Sequence, residues 1–155
     1  MTIASTVSRY LAEYDVPYDV MGHAHTVSSA QSAAVSHVPG HRLAKSVVLE
    51  DDRGYLMAVL PADRRLDLGE LQRQLKRHLV LAGEDELGHL FRDCEVGALP
   101  AIGPAYGLET VIDDTIAEQP EVYFEAGDHE QLIHVSAEVF ETLMGGSVRH
   151  GHFSQ

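Results

Sequence analysis

The chain has 155 residues, 45% of them hydrophobic, a formal net charge of −13 and one cysteine. That length and apolar content suit one domain with a real core and argue against a disordered chain, and no apolar run approaches the ~20 residues that span a bilayer. A single cysteine excludes an intrachain disulfide, and the first fifteen residues lack the basic and apolar blocks of a signal peptide, so the cytoplasm is the expected compartment.

Apolar spacing predicts a helix over 3–14, with Val7, Tyr10, Leu11 and Tyr14 on one face, then a short strand over 18–21. Ser28 or Ser29 can cap an alanine-rich helix over 30–37, which Pro39-Gly40 ends. Residues 43–49 and 55–60 read as the two strands of a hairpin around an acidic turn. Asp67 can cap a helix over 68–77, followed by a short strand over 79–82 and a helix over 85–91. Strands are expected at 110–112, 122–125 and 132–135, with Asp113-Asp114-Thr115 as a turn between the first two. Ser136 caps a last helix over 137–144, with Glu138 and Glu141 near its start. These elements imply a mixed α/β domain over 1–145, with a largely antiparallel, hairpin-connected sheet or partly closed barrel. Residues 146–155 are expected to form a flexible tail.

The least regular stretch is Asp93–Gly107, DCEVGALPAIGPAYG, with three glycines, two prolines and no Lys or Arg. Glycine permits close backbone approach and proline removes donors. The stretch suits a backbone wall with amides aimed at a ligand, or a packed connection between two elements. Lys45 sits in an apolar strand, sharing a face with Val47 and Leu49, while Ala44, Ser46 and Val48 share the other. It reads either as a functional cation or as an edge lysine whose stem snorkels to water. His23 and His25 could ligate a metal, but no third ligand stands at a diagnostic spacing. Cys94 is flanked by Asp93 and Glu95, which favour the neutral thiol, and so reads as a packing residue. His129 follows the turn residues Gly127-Asp128 and could face the glycine loop.

Four blocks stand in one order: HAHT, RLAKSVVL, DCEVGALPAIGP and AGDHEQLIHVS. Together they resemble the YbaK-type aminoacyl-tRNA editing domains, relatives of the insertion domain of bacterial prolyl-tRNA synthetase, over about 16–140. The resemblance implies a deacylase that frees a small wrong amino acid from proline tRNA, with the tRNA 3′ end as partner, an aminoacyl-tRNA synthetase as a further candidate partner, and no cofactor, metal or membrane. Lys45 matches the family lysine that contacts the 3′-terminal nucleotide and is required for activity. Gly97 matches the first glycine of the Gly-x-x-x-Pro loop that holds the aminoacyl group. The chain departs there, with Ala101 four residues on and the proline at Pro100. Ala98, Ala101, His25, Ser46 and His129 complete the substrate-binding set implied, and small Ala98 and Ala101 suit a pocket for a small side chain. A charge of −13 opposes broad adhesion to nucleic acid, so tRNA binding calls for a concentrated basic face. Arg64, Arg65, Arg73, Lys76 and Arg77 are the candidates. The alternative is a non-catalytic module using the same pocket for a nucleotide or aminoacyl ligand.

Overall fold

Alternating side chains along one hairpin divide the molecule into its layers. Strands β2 (Leu43–Asp51) and β3 (Gly54–Pro61) pair antiparallel from Ala44↔Pro61 to Asp51↔Gly54. Ala44, Val48, Met57 and Val59 enter the largest apolar cluster, whereas Val47, Leu49, Leu56, Ala58 and Leu60 enter a second cluster on the opposite face. A strand buried on both faces reads as a nearly continuous apolar run, which β3 does. The computed structural model describes residues 3–146 and 148–155. Met1 and Thr2, at the start of the expected domain, and Ser147, in the expected tail, lie outside the described residues.

Around this hairpin stand β1 (Asp19–Gly22), β4 (Val80–Leu81), β5 (Glu109–Asp113), β6 (Glu121–Glu125), β7 (Gln131–Ser136) and β8 (Arg149–Gly151). The sheet runs β1-β7-β6-β2-β3-β5-β8, with β4 also on β2, and ends at β1 and β8 without closing into a barrel. β1–β7, β2–β4 and β6–β7 are antiparallel like the hairpin, but β2–β6, β3–β5 and β5–β8 are parallel. The sheet is therefore mixed, because β5 and β6 return to the hairpin's two edges through crossovers rather than tight turns.

Helices α1 (Ser5–Tyr14), α2 (Ser29–Val35), α3 (Leu68–Leu75), α4 (Glu84–Leu90), α5 (Asp114–Ala117) and α6 (Ala137–Met144) flank the sheet. Ser28, Asp67 and Ser136 each accept a backbone N–H from the first turn of α2, α3 and α6. Helix α3 stops two residues earlier than its periodicity predicts, because Lys76 adopts a left-handed conformation (φ 55°). The expected turn at 113–115 is the start of α5, since Asp113 caps Thr115. Helix α1 buries Val7 and Leu11 and is tied to α6, where the Tyr10 hydroxyl donates to the Leu143 carbonyl at 2.5 Å.

The C-terminal residues depart most from expectation. Rather than a loose tail, 149–151 add β8 to β5, and Phe153 is fully buried beside Leu71, Leu79 and Val111. A lone apolar residue among glycine and histidine gives no periodic signal, and its burial follows from the open edge that β5 offers. Phe153→Ala should lower unfolding free energy by about 3–5 kcal/mol in chemical denaturation; no change would mean that the segment is dispensable.

Candidate functional site

On the outer edge of β2, β6 pairs with Leu43 and Ala44, and β4 pairs with Leu49 and Glu50. Between these pairings, Lys45, Ser46 and Val47 have no strand partner on that side among the described residues. The glycine loop fills this gap. The Ser46 hydroxyl donates to the Leu99 carbonyl at 3.2 Å, and a cavity of about 280 Å³ opens there, lined among others by Ser46, Val48, Leu81, Leu87, Gly97 and Leu99. Its walls are largely apolar with a few convergent polar groups, the usual make-up of a small-ligand site.

Close packing without a β-carbon shapes the loop. Gly97 has φ 87°, and a Cβ there would lie 2.9 Å from the Val27 carbonyl oxygen and 3.1 Å from the His129 ring. His129, itself at φ 60°, donates from Nε2 to the Val96 carbonyl at 2.6 Å. A carbonyl can only accept, so Nε2 carries a proton, and the buried Nδ1 has no hydrogen-bond partner among the described residues. The amides of Cys94, Glu95 and Ala98 are engaged by Phe91, Gly127 and Glu95 carbonyls, whereas those of Val96, Gly97 and Leu99 make no hydrogen bond within the described residues. Val96, Gly97 and Leu99 all line the cavity.

Two aspartates, Asp93 at the start of the loop and Asp128 in the β6–β7 turn, hold the loop and its neighbour in place. Asp93 accepts from the Thr6 amide at 2.8 Å and the Tyr106 hydroxyl at 3.1 Å, fastening the loop to α1. Asp128 accepts from the Glu130 and Gln131 amides, at 2.9 and 3.0 Å, and shapes the turn that presents His129. Cys94 is half-buried against Tyr106, and burial pushes its thiol up to about 12, so it is a packing residue and no nucleophile.

The residues expected at the site separate into four groups. Gly97 and Ser46 line the cavity. His129 and His25 stand beside the loop, their rings edge to face at 5.7 Å, with His25 Nε2 4.0 Å from the Glu95 carboxylate. Ala98 and Ala101 are fully buried, and Ala101 belongs to the main core. Neither forms the cavity wall; Gly97 and Leu99 take that place because the loop turns the two alanines inward. Lys45 leaves β2 on the face opposite Ser46. Its half-buried ammonium donates to the Arg64 carbonyl at 2.5 Å. Burial lowers its pKa below that of an ordinary lysine, with Asp63 opposing the shift and Arg65 adding to it.

The basic cluster does not present five cations. Arg77 is buried, with its guanidinium on Asp51 at 2.7 and 2.8 Å and on Glu109 at 2.8 Å, which holds the Asp51 carboxyl down to about 2. Arg73 is paired with Glu70, and Arg64 is bonded to Ser154. Among the described residues, the side chains of Arg65 and Lys76 make no hydrogen bond or ion pair. A larger depression, about 500 Å³, lies along Asp51–Arg53 and Lys76–His78. We take the smaller cavity as the site, because there free amides and a constrained glycine converge.

Glu125 is the group that sequence reasoning missed most completely. It is 1% exposed, and neither carboxyl oxygen has a hydrogen-bond partner among the described residues. It lies at the end of β6, immediately before the turn that carries His129, with Ser32 and Asp128 as its polar neighbours. Burial, and then the Asp128 charge, push its pKa up to about 7 despite the Ser32 hydroxyl.

Two predictions follow the geometry. Gly97→Ala should cost about 1–3 kcal/mol in denaturant unfolding, from the positive φ and the Val27 contact; wild-type stability would show that the loop can yield. Since the folded Glu125 carboxyl titrates above its reference value of 4.5, its neutral form contributes fully below that pH, and the contribution fades as pH rises through about 7. Glu125→Gln should therefore match the parent below pH 4.5 and exceed it by about 3 kcal/mol above pH 7. A variant no more stable than the parent at pH 8 would refute the buried-acid assignment.

A family model described as the aminoacyl-tRNA editing domain matches residues 23–143. No curated protein is detectably similar in sequence. Among solved structures, a provisionally assigned trans-editing enzyme for prolyl tRNA synthetase has a TM-score of 0.84 at 21% identity, covering 98% of this chain and 96% of its own. A hypothetical protein has a TM-score of 0.83 at 21% identity, covering 97% and 100%. A provisionally assigned signal transduction protein from Marinobacter aquaeolei VT8 has a TM-score of 0.78 at 25% identity over 99% of this chain but only 31% of that one.

Proposed function

The chain belongs to the aminoacyl-tRNA editing domain family, and on that premise we propose that it hydrolyses the ester of misacylated tRNA in trans, with proline tRNA carrying a small wrong amino acid as substrate. The observation that carries this reading is the set of free amides at Val96, Gly97 and Leu99, held by the packing of Gly97 on Val27 and His129.

An aminoacyl ester is already activated, so its hydrolysis does not require a strong nucleophile in the protein. It requires the carbonyl to be held, the developing oxyanion to meet preorganised donors, and a water to be placed in line. The loop amides serve as the donors, and rigidity from Asp93 and Asp128 means that they need little reorganisation as charge develops. The apolar lining keeps competing water away from the amino-acid side chain. In this reading the substrate's own ribose hydroxyl assists the attacking water, in keeping with the family resemblance. Lys45 leaves β2 on the face opposite the cavity-lining Ser46 and is bonded to the Arg64 carbonyl, so its proposed role is with the nucleotide's phosphate and not with the reacting carbonyl. His25 and His129 border the loop on the aminoacyl side, and Ser46 fixes the loop to β2.

With Arg73 and Arg77 paired to carboxylates, affinity for tRNA rests on a few contacts near the 3′ end, and a synthetase that delivers the tRNA fits this arrangement. No described helix is long and apolar enough to cross a membrane, and the cytoplasm is the compartment that the reading implies.

The test is deacylation of proline tRNA charged in turn with alanine, serine, cysteine and proline. We expect hydrolysis of at least one wrong ester, sparing of the prolyl ester, and a loss of at least a hundredfold in kcat/KM for Lys45→Ala with unchanged thermal unfolding. Turnover unaffected by that substitution would reject the role of Lys45. Tight binding of the charged tRNA without turnover would replace the hydrolase with a binding module.

A further inference from the structure

The carbonyl that receives Lys45 is held by residues from the other end of the chain. The segment Arg64–Asp67 is strapped to 153–155 by three backbone hydrogen bonds: Arg65 N–H to the Gln155 carbonyl at 2.7 Å, Gln155 N–H to the Arg65 carbonyl at 2.8 Å, and Asp67 N–H to the Phe153 carbonyl at 2.7 Å. Leu66 and Ser154 form the bridge between them. The Arg64 side chain adds two bonds, from Nε to the Ser154 hydroxyl at 2.6 Å and from Nη2 to the Ser154 carbonyl at 3.0 Å.

Ser154 is buried, and its hydroxyl is fully used. While accepting from Arg64, it donates its one proton to Asp113 Oδ2 at 2.9 Å. The other Asp113 oxygen accepts from the Phe153 amide at 2.8 Å. Asp113 is completely buried at the end of β5, where it also takes the Thr115 amide and hydroxyl. Burial alone would raise its pKa; the Thr115, Phe153 and Ser154 donors overcome that and lower it. A carboxylate fixed in this way is a rigid post. From it hydrogen bonds run through the Ser154 hydroxyl to the Arg64 guanidinium, and the backbone carbonyl of the same arginine accepts the Lys45 ammonium.

We propose that the C-terminal segment positions Lys45, with Ser154 as the positioning residue that links Asp113 to Arg64. This rests on the reading of Lys45 as the nucleotide-binding cation given above. A lysine side chain is flexible, and ordering it when substrate arrives would weaken binding. A carbonyl locked in place holds the ammonium in one geometry beforehand. The charged groups that act on Lys45 are Asp63 and Arg65, both on the strapped segment or next to it. Slackening the strap therefore moves the acceptor and both charges together.

The test compares Ser154→Ala and Ser154→Thr with the parent. The chain has only two lysines, Lys45 and Lys76, so the ε-carbon signals resolve the Lys45 titration by NMR without any substrate. In Ser154→Ala the Lys45 midpoint should rise towards the ordinary lysine value, and KM for misacylated tRNA should rise about five- to tenfold with kcat within twofold, the pattern of lost ground-state binding. Ser154→Thr keeps the hydroxyl and should restore both. A folded Ser154→Ala protein with an unchanged Lys45 titration overturns the inference. Should that variant fail to fold, Arg64→Gln, which leaves the Ser154–Asp113 bond in place, decides by the same titration. If the parent hydrolyses no ester, the hydrolase reading falls, and the titration still judges the strap.

Discussion

The site depends on one close approach, the backbone of Gly97 against the Val27 carbonyl and the His129 ring. At that separation no side chain fits on Gly97, so the loop meets the segment after β1 through main chain and the β6–β7 turn through the His129 ring. The Thr26 amide bonds to the His129 carbonyl at 3.2 Å, and His129 bonds to the Val96 carbonyl, so each of the three segments fixes the next. Withdrawing any one of them would leave buried backbone groups without partners, which costs more than the bonds themselves contribute.

The sheet supplies the opening that this loop fills. β2 exchanges partners from β6 to β4, and over the interval its edge faces the glycine loop. A change of strand partner is where open sheets commonly bind ligands, because the diverging neighbours leave a crevice. Here the crevice is mainly apolar, bounded by β4 and α4 on one side and the loop on the other. Lys45 and Ser46 leave β2 on opposite faces, and of the two only Ser46 lines the crevice.

Charge is arranged to spend few cations on the surface. Arg77 is enclosed by Asp51 and Glu109, and Arg64 is given over to Ser154. Burying a guanidinium requires such partners, and each partnership removes a charge that could have met phosphate. In the proposed function, this distribution puts the weight on geometry near the tRNA 3′ end and not on a broad electrostatic footprint. The buried carboxyl of Glu125, close to the His129 turn, is tolerated because desolvation keeps it neutral below about pH 7.

Much of the fold could be read from residue order. The β2–β3 hairpin, the caps at Ser28, Asp67 and Ser136, and the irregular 93–107 segment all rest on local rules that act within a few residues. The four sequence blocks likewise pointed to the editing-domain family, to which the chain belongs. What lay beyond reach was whatever depends on partners distant in sequence. The orientation of Ala98 and Ala101 away from the cavity follows from core packing, and the neutralisation of Arg77 needs Asp51 and Glu109, 26 and 32 residues away. Residues 149–155 look like an unstructured tail because their anchors, Asp113, Leu66 and Arg64, stand some 40 to 90 positions earlier. Local propensity determined which elements form; tertiary packing alone decided which of their side chains face the site, because burial and hydrogen-bond satisfaction are properties of the assembled chain.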